Sequence, residues 1–299
     1  MALVSDFGDL LRKLTRGGSV RAQLARASIW LLAGTAVQQM FAMLGSVGTA
    51  RVLGQTGFGA LGAVRSTTMV FAAVAGSGVS LAATRSVAAL RTEDPERAGR
   101  VVGLILALGW TVSIVAVILC VALARVVAQR AFRADDLALP IAISSMTILF
   151  SVVGGVQGGV LAGLERFGAT AAFIAAEGMA GAILMVAGAY VNGVIGAVSG
   201  FVIGTGIVFL FKQETMLRAC RRCAIHVTTI GMRGEMQIIG AFVVPAVLLF
   251  VVSQPAEWLS RVLLARRPNG LAEMGVFTAA YSWGQLVLFV PSQVASPTL

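Results

Sequence analysis

Four charged side chains stand where the surrounding sequence is almost wholly apolar. Arg65 interrupts GFGALGAVRSTTMVFAAVAGSGV, residues 57–79, and Glu177 interrupts AAFIAAEGMAGAILMV, residues 171–186. Glu257 and Arg261 stand at i and i+4 in SQPAEWLSRVLLARR. A charge inside hydrocarbon costs about 3 kcal/mol or more, so such residues mark cavities, ion pairs or relays. A guanidinium offers a planar fork of donors suited to phosphate, and a carboxylate suits a proton or a cation. Arg65 admits two readings. Its side chain snorkels to the headgroups, or it faces a water-filled cavity, with Thr68, Ala72 and Ala75 leaving room at helical spacing. Glu177 is too short to snorkel. It is either a neutral carboxyl bonded between helices or a cavity residue that responds to protons or cations, its pKa raised by desolvation. The two lie about 8 Å apart in depth, close enough for a water-bridged pair. Glu257 and Arg261 share a helix face and form either an interfacial ion pair or part of a cavity lining. Gln38, Gln39 and Gln157 bring amides into apolar runs, where they staple helices or line a site.

Other chemistry has little to work with. CRRCAIH offers Cys220, Cys223 and His226, three ligands where structural zinc takes four. Three cysteines give no disulfide framework. The single histidine leaves little for acid–base catalysis, and no phosphate-binding loop or nucleophile elbow is present. No enzyme activity, metal or cofactor is expected, and a membrane-embedded transferase would need a catalytic cluster that cannot be assembled.

These residues must be positioned by membrane helices. The chain has 299 residues, 58% hydrophobic and 12% charged, against about 25% charged in soluble domains. Runs of about 20 apolar residues cross a bilayer. Good ones are Ala27–Ala50, Leu61–Ala83, Val101–Ala124, Leu137–Leu161, Ala169–Tyr190, Val194–Phe211 and one from Val276 onward. A doubtful one begins at Ile238, where only 15 residues precede SQPAEWLS, so either it is a half-helix or it continues with a kink at Pro255. The expectation is an all-α polytopic membrane protein of about eight helices. The first run is too long for a signal-peptide core and has no cleavage site before Arg51. Ahead of it, Phe7, Leu10, Leu11 and Leu14 form one face opposite Asp6, Asp9, Arg12, Lys13 and Arg16, which suits an interfacial helix or a basic tail. TEDPERAGR reads as a helix start, Asp94 the N-cap and Pro95 the first residue.

With the N-terminus inside, the inner segments hold fifteen of the 23 lysines and arginines, among them Arg85, Arg166 and the run from Lys212 to Arg233. That bias explains the net charge of +10 through anionic headgroups. No basic face interleaved with aromatics calls for nucleic acid.

A shift of 216 residues lays RVLGQTGFG over RPNGLAEMG, with Arg51 on Arg267, Gly54 on Gly270, Gly59 on Gly275, Ala63 on Ala279 and Ser66 on Ser282. Six helices separate the copies, so the repeats are parallel about an axis along the membrane normal. The expected organisation is a basic N-terminal segment, 1–26; a six-helix first lobe with its following loop, 27–235; and the start of a second lobe, 236–299. Symmetry then calls for roughly four more helices, so the chain is expected to be a fragment or a truncated product.

ARVLGQTGFGALGAVRSTT, SLAATRSVAAL, LAGLERFGA and GVFTAAYSWGQLVLFVPSQVASPTL together resemble the polysaccharide flippases of the multidrug, oligosaccharidyl-lipid and polysaccharide exporter superfamily. The resemblance runs from about Ala27 to Leu299. It implies two lobes around a central cavity that opens alternately to either side, and a lipid-linked oligosaccharide as substrate. It implies that Arg65, Glu257 and Arg261 line that cavity, with Glu177, Gln38 and Gln39 as further candidates. Membrane lipids and the glycosyltransferases or polymerase of the same pathway are the expected partners. A multidrug cation antiporter of the same superfamily is the alternative; Glu177 suits it and the arginines do not.

Overall fold

The computed structural model describes residues 20–76, 78–228 and 254–295, which are helical apart from short turns and contain no strand. The interfacial segment expected before residue 17 and the doubtful run from Ile238 to Val252 lie outside them. Among the described residues, four stretches are long and apolar enough to cross a bilayer: Arg26–Leu90, Pro95–Ala131, Asp135–Gly163 and Phe167–Arg222.

Helix α1, Val20–Gly76, has 57 residues. At 1.5 Å per residue it would reach about 85 Å, nearly three hydrocarbon thicknesses. It does not run straight, because Gly54 leaves the helix at φ 68° and ψ −177°, a conformation open essentially to glycine alone. The chain turns there into a second leg that carries Arg65. After Gly78 (φ 75°), α2 (Val79–Leu90) extends that leg. Helix α3, Pro95–Val126, starts as expected: the Asp94 carboxylate accepts from the Arg97 N–H at 2.9 Å with Pro95 in the first turn. A π turn, Val127–Ala131, ends it. Two nearly collinear helices follow, α4 (Ala138–Ser144) and α5 (Met146–Gly163). Helix α6, Phe167–Arg222, breaks into two legs at Asn192 and Gly193. Residues 254–265 form α7, and Gly270–Ala295 form α8. The expected kink at Pro255 falls at the edge of the described residues.

The turns gather at two ends. At the near end, where the first leg begins, Arg91 pairs with Glu165 of the α5–α6 turn and the Thr228 N–H donates to the Gly99 carbonyl at 3.4 Å. One apolar core, with Val87, Val102, Ile105, Val160 and Met216, sits toward that end. A second, with Phe58, Phe132, Ile141, Val262 and Met274, sits toward the far end, where Gly54, Asn192 and the α7–α8 turn lie. The first legs of α1 and α6 run parallel through small residues. Gly34 backs onto Ala171, Gln38 onto Gly178, Gly45 onto Ala182 and Gly48 onto Val186.

The second leg of α1 meets α8 most closely. A methyl on Gly59 would stand 1.8 Å from the Leu271 carbonyl oxygen, and one on Gly275 would stand 2.1 Å from that of Gln55. Leu271 and Gly275 are the residues that the 216-residue shift places over Gln55 and Gly59. Each contact is therefore the other with its partners exchanged, and Gly62 faces Thr278, its own counterpart. Such reciprocity is the mark of a local two-fold axis, here running between parallel helices.

Candidate functional site

Arg65 leaves a fully apolar turn, Leu61 to Val64, each residue 0–2% exposed or a buried glycine. Its guanidinium carbon lies 4.9 Å from the centre of the Phe201 ring on the second leg of α6. The ring edge in turn stands over Gly181 of the first leg, where a methyl would come within 2.9 Å of it. The three residues after Arg65 are buried hydroxyls. Ser66 and Thr67 each donate to the Ala63 carbonyl at 2.9 Å, capping the polarity within the helix. Thr67 also accepts from the Trp258 indole at 3.1 Å, tying α1 to α7. Thr68 lies 3.2 Å from the Ser144 hydroxyl of α4. Arg65 itself is half-buried and has no carboxylate partner among the described residues.

Glu177 lies on the same face of α6 as Gly181, one turn away. Its Oε1 accepts from Lys212 Nζ at 3.0 Å. The Lys212 side chain is 7% exposed and that of Glu177 30%. The ammonium lies across the small face of α5, within 3.5 Å of where a Gly158 side chain would begin. Next to it, Gln157 Nε2 donates to Gln213 Oε1 at 2.6 Å. Gln157 is fully buried, and its own Oε1 has no partner among the described residues.

Two expectations change. Lys212 is not a loop residue: 209–223, FLFKQETMLRACRRC, contains no glycine or proline, so the helix continues to Arg222 and draws Lys212 inside. Glu177 and Arg65 each have a contact of their own, Lys212 and the Phe201 ring. Arg261 does not turn to Glu257. Its guanidinium carbon lies 4.9 Å over the Tyr281 ring of α8, and Glu257 is exposed. Gln38 packs against Gly178, beside Glu177, while Gln39 is half-buried on the neighbouring face. Lys212 was missed because hydropathy ended the sixth run at Phe211; the absence of a helix breaker was the signal that could have found it. Phe201 carried no signal at all, being one apolar residue among many.

Away from the two ends, three cations are buried or half-buried among the described residues, Arg65, Lys212 and Arg261, against one carboxylate, Glu177. Glu177 is the one Asp or Glu there that is not exposed among the described residues: Glu257, level with Arg65 because its neighbour Trp258 bonds Thr67, is exposed, and Glu214, further along the same helix as Glu177, is exposed and pairs with Arg218. The carboxylate is matched by Lys212, and Arg65 and Arg261 are left over, each held at an aromatic ring whose quadrupole offers no counter-charge. Among the described residues no three His, Cys, Asp or Glu side chains gather closely enough to hold a metal ion.

Known proteins bear on this arrangement in two ways. Solved structures with the same fold include a multidrug resistance MATE family transporter of the MOP superfamily in an outward-facing conformation, 19% identical with a TM-score of 0.71. Another is a MOP superfamily transporter from Pyrococcus furiosus, 20% identical at 0.72, whose reversed pocket polarity is described as suggesting a different function. A MATE protein in a straight conformation is 21% identical at 0.72. Each match covers 95% of this chain and 64% of the other, so the chain spans slightly under two thirds of their length. No curated protein matches the sequence. The model of the family described as polysaccharide biosynthesis protein matches residues 24–299. With its apolar helices and its MOP transporter fold, the chain is a membrane protein and belongs to the polysaccharide biosynthesis protein family.

Proposed function

We propose that this chain works in a transporter that carries a lipid-linked oligosaccharide across the cytoplasmic membrane, the near end and the N-terminus facing the cytoplasm. The sign of the interior charge carries this reading. A cationic drug needs an uncommitted carboxylate inside the bundle; Glu177 is committed to Lys212 at 3.0 Å, and Glu257 is exposed. A diphosphate-bearing headgroup needs an uncommitted cation, and Arg65 is one. The hydroxyls of Ser66, Thr67 and Thr68 lie on the next turn. The reciprocal contacts of Gly59 and Gly275 support two parallel units, residues 27–235 forming the first and 236–299 belonging to the second. Substrate would come from glycosyltransferases that build the oligosaccharide on its lipid and pass to the polymerase that extends it.

The test is flipping of a fluorescent lipid-diphosphate oligosaccharide in proteoliposomes. Arg65→Gln should abolish it and Arg65→Lys should restore part of it, since a lysine keeps the charge and loses the fork. Uptake of a cationic dye driven by an ion gradient, with no lipid movement, would sink the proposal in favour of a cation antiporter.

A further inference from the structure

The far end of the bundle carries an open cleft of about 570 Å³ between two turns, one following α3 and one joining α7 to α8. Arg133, Arg266 and Arg267 line it, with Thr56, Asn269 and Gly270. Among the described residues no carboxylate belongs to the lining. Asp135, Asp136 and Glu273 are the acidic residues nearest along the chain, and all three are exposed outside it.

The arginines do not neutralise themselves elsewhere. Arg266 is fixed on the opposite lip: its Nε donates to the Ala131 carbonyl at 3.2 Å and its Nη2 to the Arg130 carbonyl at 2.7 Å, at the π turn that ends α3. Those bonds orient the guanidinium and leave its charge uncompensated, with further N–H groups to donate. Arg133 and Arg267 have no carboxylate partner among the described residues. Arg133 and Asn269, one on each lip, hold left-handed backbone at φ 53° and 58°. That conformation is uncommon for residues with side chains and is enriched at binding sites. Three like charges converging on one cleft repel one another, and an anion between them relieves the repulsion.

We propose that this cleft binds a phosphate-bearing anion, either the headgroup of an anionic membrane lipid or a free phosphate or diphosphate. Guanidinium forks match phosphate oxygens in pairs, and Arg266 is already oriented to present its remaining donors. Because Arg133 stands on the α3 side and Arg266 and Arg267 on the α7–α8 side, the bound anion joins the two turns. The site is separate from Arg65 and does not depend on what the protein transports.

Purified full chain is placed in phosphatidylcholine nanodiscs and titrated with inorganic pyrophosphate; in a second arm, the nanodiscs contain phosphatidylglycerol. Binding is read by calorimetry in the first arm, and both arms are read by the thermal unfolding midpoint. Wild type should bind pyrophosphate, gain stability in phosphatidylglycerol, or both. Response in one arm alone assigns the anion to the free or the lipid source. In R133Q/R267Q, two exposed positions, the dissociation constant should rise by about tenfold or more, from the loss of two charge-assisted contacts, and the lipid-dependent gain should vanish. Arg218→Gln, an exposed arginine at the other end, should behave as wild type. No response in either arm, or a response that survives in R133Q/R267Q or is lost equally in Arg218→Gln, overturns the proposal.

Discussion

Arg65 and Lys212 are both cations at membrane depth, and they are accommodated in different ways. Lys212 meets a carboxylate across two helices and is almost completely enclosed. Arg65 meets an aromatic face and keeps part of its surface open. A paired, enclosed charge is spent on holding helices together. A charge held over a ring is positioned without being cancelled, since the quadrupole contributes only about 0.5–2 kcal/mol. The contrast separates a cation that builds the lobe from one that remains able to act on a ligand.

The sharpest way to break that contrast is to remove the ammonium. Lys212→Met leaves Glu177 partly buried without its partner and should cost about 3 kcal/mol, the lower end for a broken buried pair because Glu177 keeps some exposure. The double variant Glu177→Met with Lys212→Met should recover most of that loss, because two apolar side chains replace two charges together. Thermal unfolding of both in the same detergent measures it. Equal midpoints for wild type and the single variant would mean that the pair contributes nothing.

A smaller effect sharpens the other side. Phe201→Leu keeps the volume near Gly181 roughly filled but removes the quadrupole under Arg65, and should cost about 1 kcal/mol. In an Arg65→Gln background the same change should cost less. A double-mutant cycle of unfolding midpoints reads the coupling directly, and a coupling of zero would leave Arg65 merely adjacent to the ring.

Smallest of all should be Gln157→Leu. It loses the hydrogen bond to Gln213 and also removes a fully buried, unpartnered carbonyl oxygen. Those terms oppose each other, each about 1 kcal/mol or somewhat more, so the net change should stay within about 1 kcal/mol and can be stabilising. A large loss by the same unfolding measurement would show that the amide is part of a network with Lys212 rather than a simple staple.

Much of the scaffold was legible because its causes are local. Asp94 and Pro95 start α3 through bonds within four residues. The apolar runs follow from length against bilayer thickness, although hydropathy hid the continuation of α6 to Arg222. The 216-residue offset aligned Gly59 with Gly275, and the structure brings these equivalents together, since a residue needing no side chain at a two-fold contact needs none in its counterpart either. Among the candidate site residues, Arg65 and Glu177 stood out by charge alone, as did the i, i+4 spacing of Glu257 and Arg261. Their partners did not. The ion-pair reading of Glu257 and Arg261 gave way because Tyr281, on another helix, offers Arg261 a face that spacing within one helix cannot reveal.

By itself, then, the sequence determined that this protein lives in a membrane as a bundle of small-residue helices with a few costly charges inside, because burial cost and helix length are properties of a segment. Only the tertiary structure decided which charges cancel. Lys212 reaches Glu177 from 35 positions away, and Arg65 lies over a ring on a helix distant in sequence. Those pairings depend on the rotation and depth of one helix against another, which are set by how glycine and alanine faces interlock and not by hydropathy along either chain segment.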